Sequence, residues 1–292
     1  VKNRKKYPIR GTKRKNKLNL DNLLKKKEFP RSARYDADFQ LSNQMGPNSI
    51  WLLEELCEKL RLTPGMKVLD LGCGKGMTSI FLAKEFGVQV WAVDLWINPD
   101  HNWQRVVNAG VGHLVYPLKA EAHALPFAKG FFDAVISIDA YQFFGTDILY
   151  LDYLACLVKP DGQFGMVMPG WTQPLPNPVP LHLSEPQSNG KAFWEPGCSC
   201  FQTADFWRNL WSYCPLVTGI TASIQPDGWR HWRDFESAIE KSGNSIFPSC
   251  AEALDKDGGR YLGFVRMTAQ RNDVKGFNAY DPNIGELMGI SQ

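Results

Sequence analysis

Short apolar runs alternate along this chain with stretches of helical periodicity. Ile50, Leu53, Leu56, Cys57 and Leu60 recur at helical spacing and predict a helix over 49–61, with Asn48 as its N-cap. Thr63-Pro64-Gly65 then turns the chain into Val68-Leu69-Asp70-Leu71, a short buried strand, and 77–86 reads as the helix that follows. Residues 88–93 form a second apolar strand ending at Asp94, followed by a helix over 101–109 and a short strand over 113–117. Residues 131–138 read as a fourth strand, 147–158 as a helix, 159–162 as a tight turn and 163–168 as a fifth strand. A helix over 204–213 with Thr203 as cap, a strand over 216–224, a helix over 229–241 and a closing strand over 260–268 complete the pattern. Seven strands alternating with helices predict an α/β class with a doubly wound, mostly parallel sheet.

Gly72, Gly74 and Gly76 stand at every second position between the first strand and its helix. Such a corner lets backbone approach a phosphate or nucleoside closely. The dinucleotide fingerprint needs its third glycine one place later, where this chain has Met77. Asp94 lies 18 residues beyond Gly76, where a doubly wound fold sets an acid to take up two ribose hydroxyls. Leu95 and Trp96 follow it, placed to flank an adenine.

An acid two places before a G-x-G-x-G run resembles motif I of class I S-adenosylmethionine-dependent methyltransferases. Glu121-Ala122-His123-Ala124-Leu125-Pro126-Phe127 resembles the adenine loop of that family, with Glu121 where Asp is usual. An F-D-x-V strand from Phe132 and L-x-x-P-x-G from Leu157 resemble its second half, so the likeness covers about 51–170. It implies S-adenosyl-L-methionine as cofactor and S-adenosyl-L-homocysteine as product. It also implies that Asp70, Gly72, Cys73, Gly74 and Gly76 cradle the amino-acid end, Asp94 and Leu95 the ribose and adenine, and Glu121 and Ala122 the adenine.

Residues 169–196 hold seven of the 19 prolines, too many for a regular helix or central strand. In an open α/β sheet, ligands bind beyond the carboxyl ends of the parallel strands. The proline-rich insert, the segment after the sixth strand and the residues before the first helix all reach that end. Trp171, Trp194, Trp207, Trp211, Trp229 and Trp232 are six of ten tryptophans, and predict either an aromatic lid over an apolar pocket or a packed insert. Tyr141, Trp171, Trp194 and Trp229 are the candidate substrate contacts. Methyl transfer needs alignment, exclusion of water and sometimes one base. The base candidates are Asp139, Tyr141, His231 and His182, with Asp139 also a candidate for the cofactor's amino-acid end.

The formal charge of +3 hides an asymmetry: 13 of the 33 Lys/Arg and 2 of the 30 Asp/Glu lie in 1–31, leaving a body of net charge −8. Residues 1–32 therefore read as a basic, flexible arm, 33–170 as the cofactor-binding core, 171–271 as lid insertions and completion of the sheet, and 272–292 as a tail. The seven cysteines are scattered and odd in number, which favours reduced thiols and a cytoplasmic setting. Cys198-Ser199-Cys200 lacks metal-ligand spacing, and no metal is expected. No run approaches the ~18 apolar residues of a membrane span. The partner expected is a small-molecule methyl acceptor. An RNA or ribosomal-protein methyltransferase anchored by the basic arm is the alternative. A likeness to cyclopropane fatty-acid synthases, a nicotinamide dehydrogenase and a scaffolding role rank below it.

Overall fold

The computed structural model describes residues 20–275 together with Tyr280 and Ile284. Eight strands form one sheet: β1 (Lys67–Leu71), β2 (Gln89–Asp94), β3 (Val115–Lys119), β4 (Phe132–Ile138), β5 (Val158–Trp171), β6 (Gln202–Thr203), β7 (Val217–Ile224) and β8 (Leu262–Arg271). The helices are α1 (Ala37–Ser42), α2 (Ser49–Cys57), α3 (Met77–Phe86), α4 (Pro99–Asn108), α5 (Tyr150–Cys156), α6 (Leu181–Ser184), α7 (Ala204–Ser212), α8 (Gly228–Ser242) and α9 (Ala251–Asp257). Asn48 and Thr203 cap α2 and α7 by accepting from Trp51 N and Phe206 N, as the sequence predicts.

The strand order is β3-β2-β1-β4-β5-β8-β7, with the two-residue β6 off this path against β5. All neighbours from β3 to β5 pair in parallel, and β8 runs antiparallel between β5 and β7. The β7 strand therefore runs parallel to β5, so both send their following segments to one end of the sheet. Alternate residues of each central strand point to opposite faces. Val68, Val90, Ala134 and Val167 pack under α2, α3 and α8, whereas Leu69, Val93, Val135 and Met166 pack under α5 and α7. This double burial explains why these strands read as apolar runs without alternation.

Three expectations are corrected. The tight turn at 159–162 is instead a bulge inside one long β5: Val158 pairs with Phe132 and Gln163 with Ala134, while Asp161 adopts φ +64°. Asp133 holds this bulge to the sheet, accepting from Lys159 Nζ at 2.5 Å and Lys67 N at 2.7 Å. The basic arm does not extend to residue 32, because residues 20–32 pack on the body. Leu24 and Phe29 are buried, Phe29 stacks on Trp51 at 5.6 Å, and Lys26 pairs with Asp234. Residues 1–19 and most of the tail lie outside the described residues. Finally, the tryptophans follow the packing alternative. Trp207 and Trp211 are fully buried beneath the sheet, Trp232 lies 5.1 Å from Phe264, and Trp171 meets Trp194 and Phe201.

Glu54 fastens the N-terminal segment to α2. Its buried carboxylate accepts from Arg31 N at 2.8 Å, Ser32 N at 2.7 Å and Ser32 Oγ at 2.6 Å. Charge-assisted bonds of this kind are worth about 1.5–3 kcal/mol each, and their loss strands buried donors. Glu54→Ala is expected to lower the unfolding free energy by about 3 kcal/mol, read as a reduced urea midpoint at unchanged slope.

Candidate active site

A cavity of about 570 Å³ opens beyond the carboxyl ends of β1, β2, β3 and β4. Its floor is the glycine loop. Gly72 N and Cys73 N both donate to Val93 O, at 2.8 and 3.0 Å, drawing the loop onto the end of β2. Gly72 has φ +76°, and a Cβ there would stand 2.3 Å from the Ala140 Cβ, so only glycine closes this corner. Gly72, Cys73 and Gly74 line the cavity.

Asp70 and Gly76 do not line it. The Asp70 carboxylate is buried behind the loop, with Oδ2 accepting from Thr78 Oγ1 at 2.6 Å and Ser79 Oγ at 2.5 Å. Its Oδ1 has no hydrogen bond among the described residues. Burial pushes the group up to about 6 in spite of the two hydroxyl donors. Gly76 caps α3 in the left-handed conformation. Both residues shape the loop from behind.

Asp94, at the end of β2, reaches the cavity. Its Oδ2 accepts from Gly74 N at 2.8 Å, and its Oδ1 from Trp96 N at 2.8 Å and Ile97 N at 2.9 Å. From α4 the buried Asn102 donates to Gly74 O at 2.8 Å, so Gly74 is held from both sides. Leu95, Trp96, Glu121 and Ala122 also line the cavity. The Glu121 carboxylate receives both His123 N at 2.7 Å and His123 Nδ1 at 2.8 Å. Partial burial works to raise its pKa, but donation from His123 outweighs that and holds it below the ordinary Glu value. His123 itself lines the cavity, with its ring against Tyr150 and Tyr280.

Asp139 leaves β4 with φ +56°, and its carboxylate borders the cavity. Gln142 Nε2 donates to Oδ1 at 3.2 Å, and a Cβ on Gly46 would stand 2.4 Å from Oδ2. Burial pushes this carboxyl up to about 7, with the Gln142 bond working against it. The segment before α2 contributes Asn43, Met45, Gly46 and Pro47 to the wall. Phe143, Phe144, Glu195 and Phe247 form the far side.

The other expected site residues lie elsewhere. Tyr141 is fully buried among Phe144, Trp207 and Trp211, does not line the cavity, and has its pKa raised by burial. Trp171, Trp194 and Trp229 are likewise absent from the lining. His231 sits 4.8 Å from Phe29 in a separate cleft of about 300 Å³ shared with Lys26 and Glu55, and His182 bonds Asp257 at 2.9 Å. None of these lines the cavity. Of the four base candidates, the structure brings only Asp139 to the cavity. Asn102, His123, Glu195, Phe143 and Phe247 were not singled out from sequence.

Comparison with known proteins matches residues 49–169 to the family described as mycolic acid cyclopropane synthetase. The 2-methyl-6-phytyl-1,4-hydroquinone methyltransferase of Synechocystis sp. is 32% identical over 124 residues, 42% of this chain and 38% of that protein. The cyclopropane-fatty-acyl-phospholipid synthase of Escherichia coli is 46% identical over 43 residues, 15% of this chain and 11% of that protein. This chain thus spans well under half the length of these relatives. The crystal structure of geranyl diphosphate C-methyltransferase from Streptomyces coelicolor shares the fold, with a TM-score of 0.56 and 18% identity over 76% of this chain and 77% of that one. The doubly wound sheet is the class I methyltransferase fold. Among the described residues no helix is long and apolar enough to cross a membrane.

Asp70 and Asp139 make stability depend on pH. An exposed Asp has a pKa of 3.8, whereas these sit at about 6 and about 7 in the fold. Between those values the folded state binds more protons than the unfolded one, so the stability present at low pH is lost as pH rises through the window. The melting temperature of the ligand-free protein is expected to carry this downward trend, and Asp139→Asn to flatten its upper part. A thermal-shift series across the window checks this; an unchanged profile in the variant rejects it.

Proposed function

We propose that this chain is an S-adenosylmethionine-dependent methyltransferase of class I that methylates a small molecule. The observation that carries the reading is Asp94, fixed by three backbone donors at the rim of a cavity whose floor is bare glycine backbone. The cavity's volume lies within the roughly 300–1,000 Å³ usual for small-molecule sites. The residues present suit the cofactor. Asp94 keeps acceptor lone pairs for vicinal hydroxyls, and Leu95, Trp96 and Ala122 offer apolar surface to a purine. Glu121 orients His123 and the adenine loop rather than standing free.

When bound, the cofactor supplies a methyl group already activated by its sulfonium. This chain's residues then have three tasks. Gly72 to Gly74 and Asp94 orient, because in-line displacement depends on alignment. Met45 and Phe144 exclude water. Asp139, already inclined to hold a proton near neutrality, is placed to accept one from the nucleophile at a carboxylate oxygen. The relatives named above are named for a hydroquinone, geranyl diphosphate and a fatty-acyl phospholipid rather than for RNA, and part of the basic leader that favoured an RNA substrate is docked on the body. All seven cysteines are free thiols, which supports a reducing, cytoplasmic setting.

Calorimetry tests the reading. S-adenosylmethionine and S-adenosylhomocysteine are expected to bind in the micromolar range, NADH not to bind, and Asp94→Ala to weaken the first two at least about a hundredfold, since charge-assisted contacts and the loop's anchor go together. Binding of NADH alone, or of none of the three, rejects it.

A further inference from the structure

The two ends of the cavity differ in chemistry, and the far end points to the kind of acceptor. By topology, β2 and β3 send Asp94 and Glu121 to one end. The segments leaving β4, β5 and β7 bring Phe143, Phe144, Glu195 and Phe247 to the other. Phe143 and Phe247 are 62% and 54% exposed, large values for aromatics, and so have ring surface to offer. Glu195 is exposed, and its carboxylate makes no hydrogen bond or ion pair among the described residues.

The charge balance of the lining is one-sided. Asp94, Glu121, Asp139 and Glu195 face a single lysine, Lys75, and no arginine. Lys75 belongs to the glycine loop, and its Nζ donates to Ser42 O at 3.2 Å. A phosphate or carboxylate on the acceptor would meet Glu195 with no cation beside it. An ammonium would meet a carboxylate and aromatic faces, the combination that recognises organic cations.

Resting on the methyltransferase reading, we propose that the acceptor is an apolar amine, its cationic group held by Glu195 between Phe143 and Phe247. Glu195 thus sets specificity by charge. It stands on the exposed insert after β5, so it can be changed without touching the cofactor end or the core.

Three probes of one skeleton separate the charge classes: hexylamine, hexanol and hexanoate, titrated into the 292-residue chain saturated with S-adenosylhomocysteine. Hexylamine is expected to bind about tenfold or more tightly than either other probe, and Glu195→Gln to remove about that factor, as one ion–aromatic and ion-pair contact allows. The affinity for S-adenosylhomocysteine should be the same in both proteins, which shows that the variant is folded. Hexanol or hexanoate binding as well as the amine, an amine preference that survives in Glu195→Gln, or no binding by any probe overturns the proposal. Failure of S-adenosylhomocysteine to bind overturns the cofactor reading beneath it, and this proposal with it.

Discussion

The site rests on one carboxylate that accepts from three backbone N–H groups. Asp94 receives Gly74 N, Trp96 N and Ile97 N, and so ties the glycine loop after β1 to the loop after β2. Charge-assisted bonds are the strong ones among neutral and charged pairs, and three to one group leave it little freedom. Asn102 adds the opposite contact at Gly74 O. Gly74 therefore has both its N–H and its C=O committed, which fixes the direction its bare face presents. A ligand meeting this loop pays little ordering entropy, because the protein has already done the ordering.

Buried carboxylates behave differently according to how many donors they receive. Glu54, with two backbone N–H groups and a hydroxyl, fastens the N-terminal segment. Asp70 receives two hydroxyls on one oxygen and nothing on the other, and is driven up to about 6. Asp139 receives one amide and is driven up to about 7. At Asp70 and Asp139 desolvation outweighs the few compensating bonds. The least compensated of the three is the one at the cavity. It is also the one held at a positive φ, a strained backbone of the kind that collects at functional sites.

Much of the stretch from α2 to β5 was legible in sequence because its signals are local. A doubly buried strand must be an apolar run, a left-handed corner demands glycine, and an N-cap demands a short polar side chain. The same locality located the Asn48 cap, the Thr203 cap and the acid at the end of β2. What failed was everything decided by burial at a distance. Tyr141 and the tryptophans carry both an apolar body and a polar tip, so residue type alone does not say whether they face a pocket or a core. Tyr141 follows Asp139 by two residues, yet a 3-10 turn carries it under α7 while Asp139 stays at the cavity. The β5 bulge was misread as a turn because Pro160-Asp161-Gly162 has turn chemistry, while strand pairing on both sides keeps it in the sheet.

The division between the legible and the illegible coincides with a division of labour. One end of the cavity is made by a nearly continuous stretch from Leu71 to His123. The other end is assembled from Phe143, Glu195 and Phe247, which stand far apart in the chain. Mutations in the continuous stretch disturb a sheet, a glycine corner and a carboxylate hub together, since Gly72 has no room even for a methyl group against Ala140. Mutations at Glu195 or Phe247 alter exposed side chains that lie outside the core. The continuous end is thus constrained by the fold itself and the assembled end only by what it must bind. The family match over 49–169 takes in the continuous end and Phe143, and ends before the insert that carries Glu195.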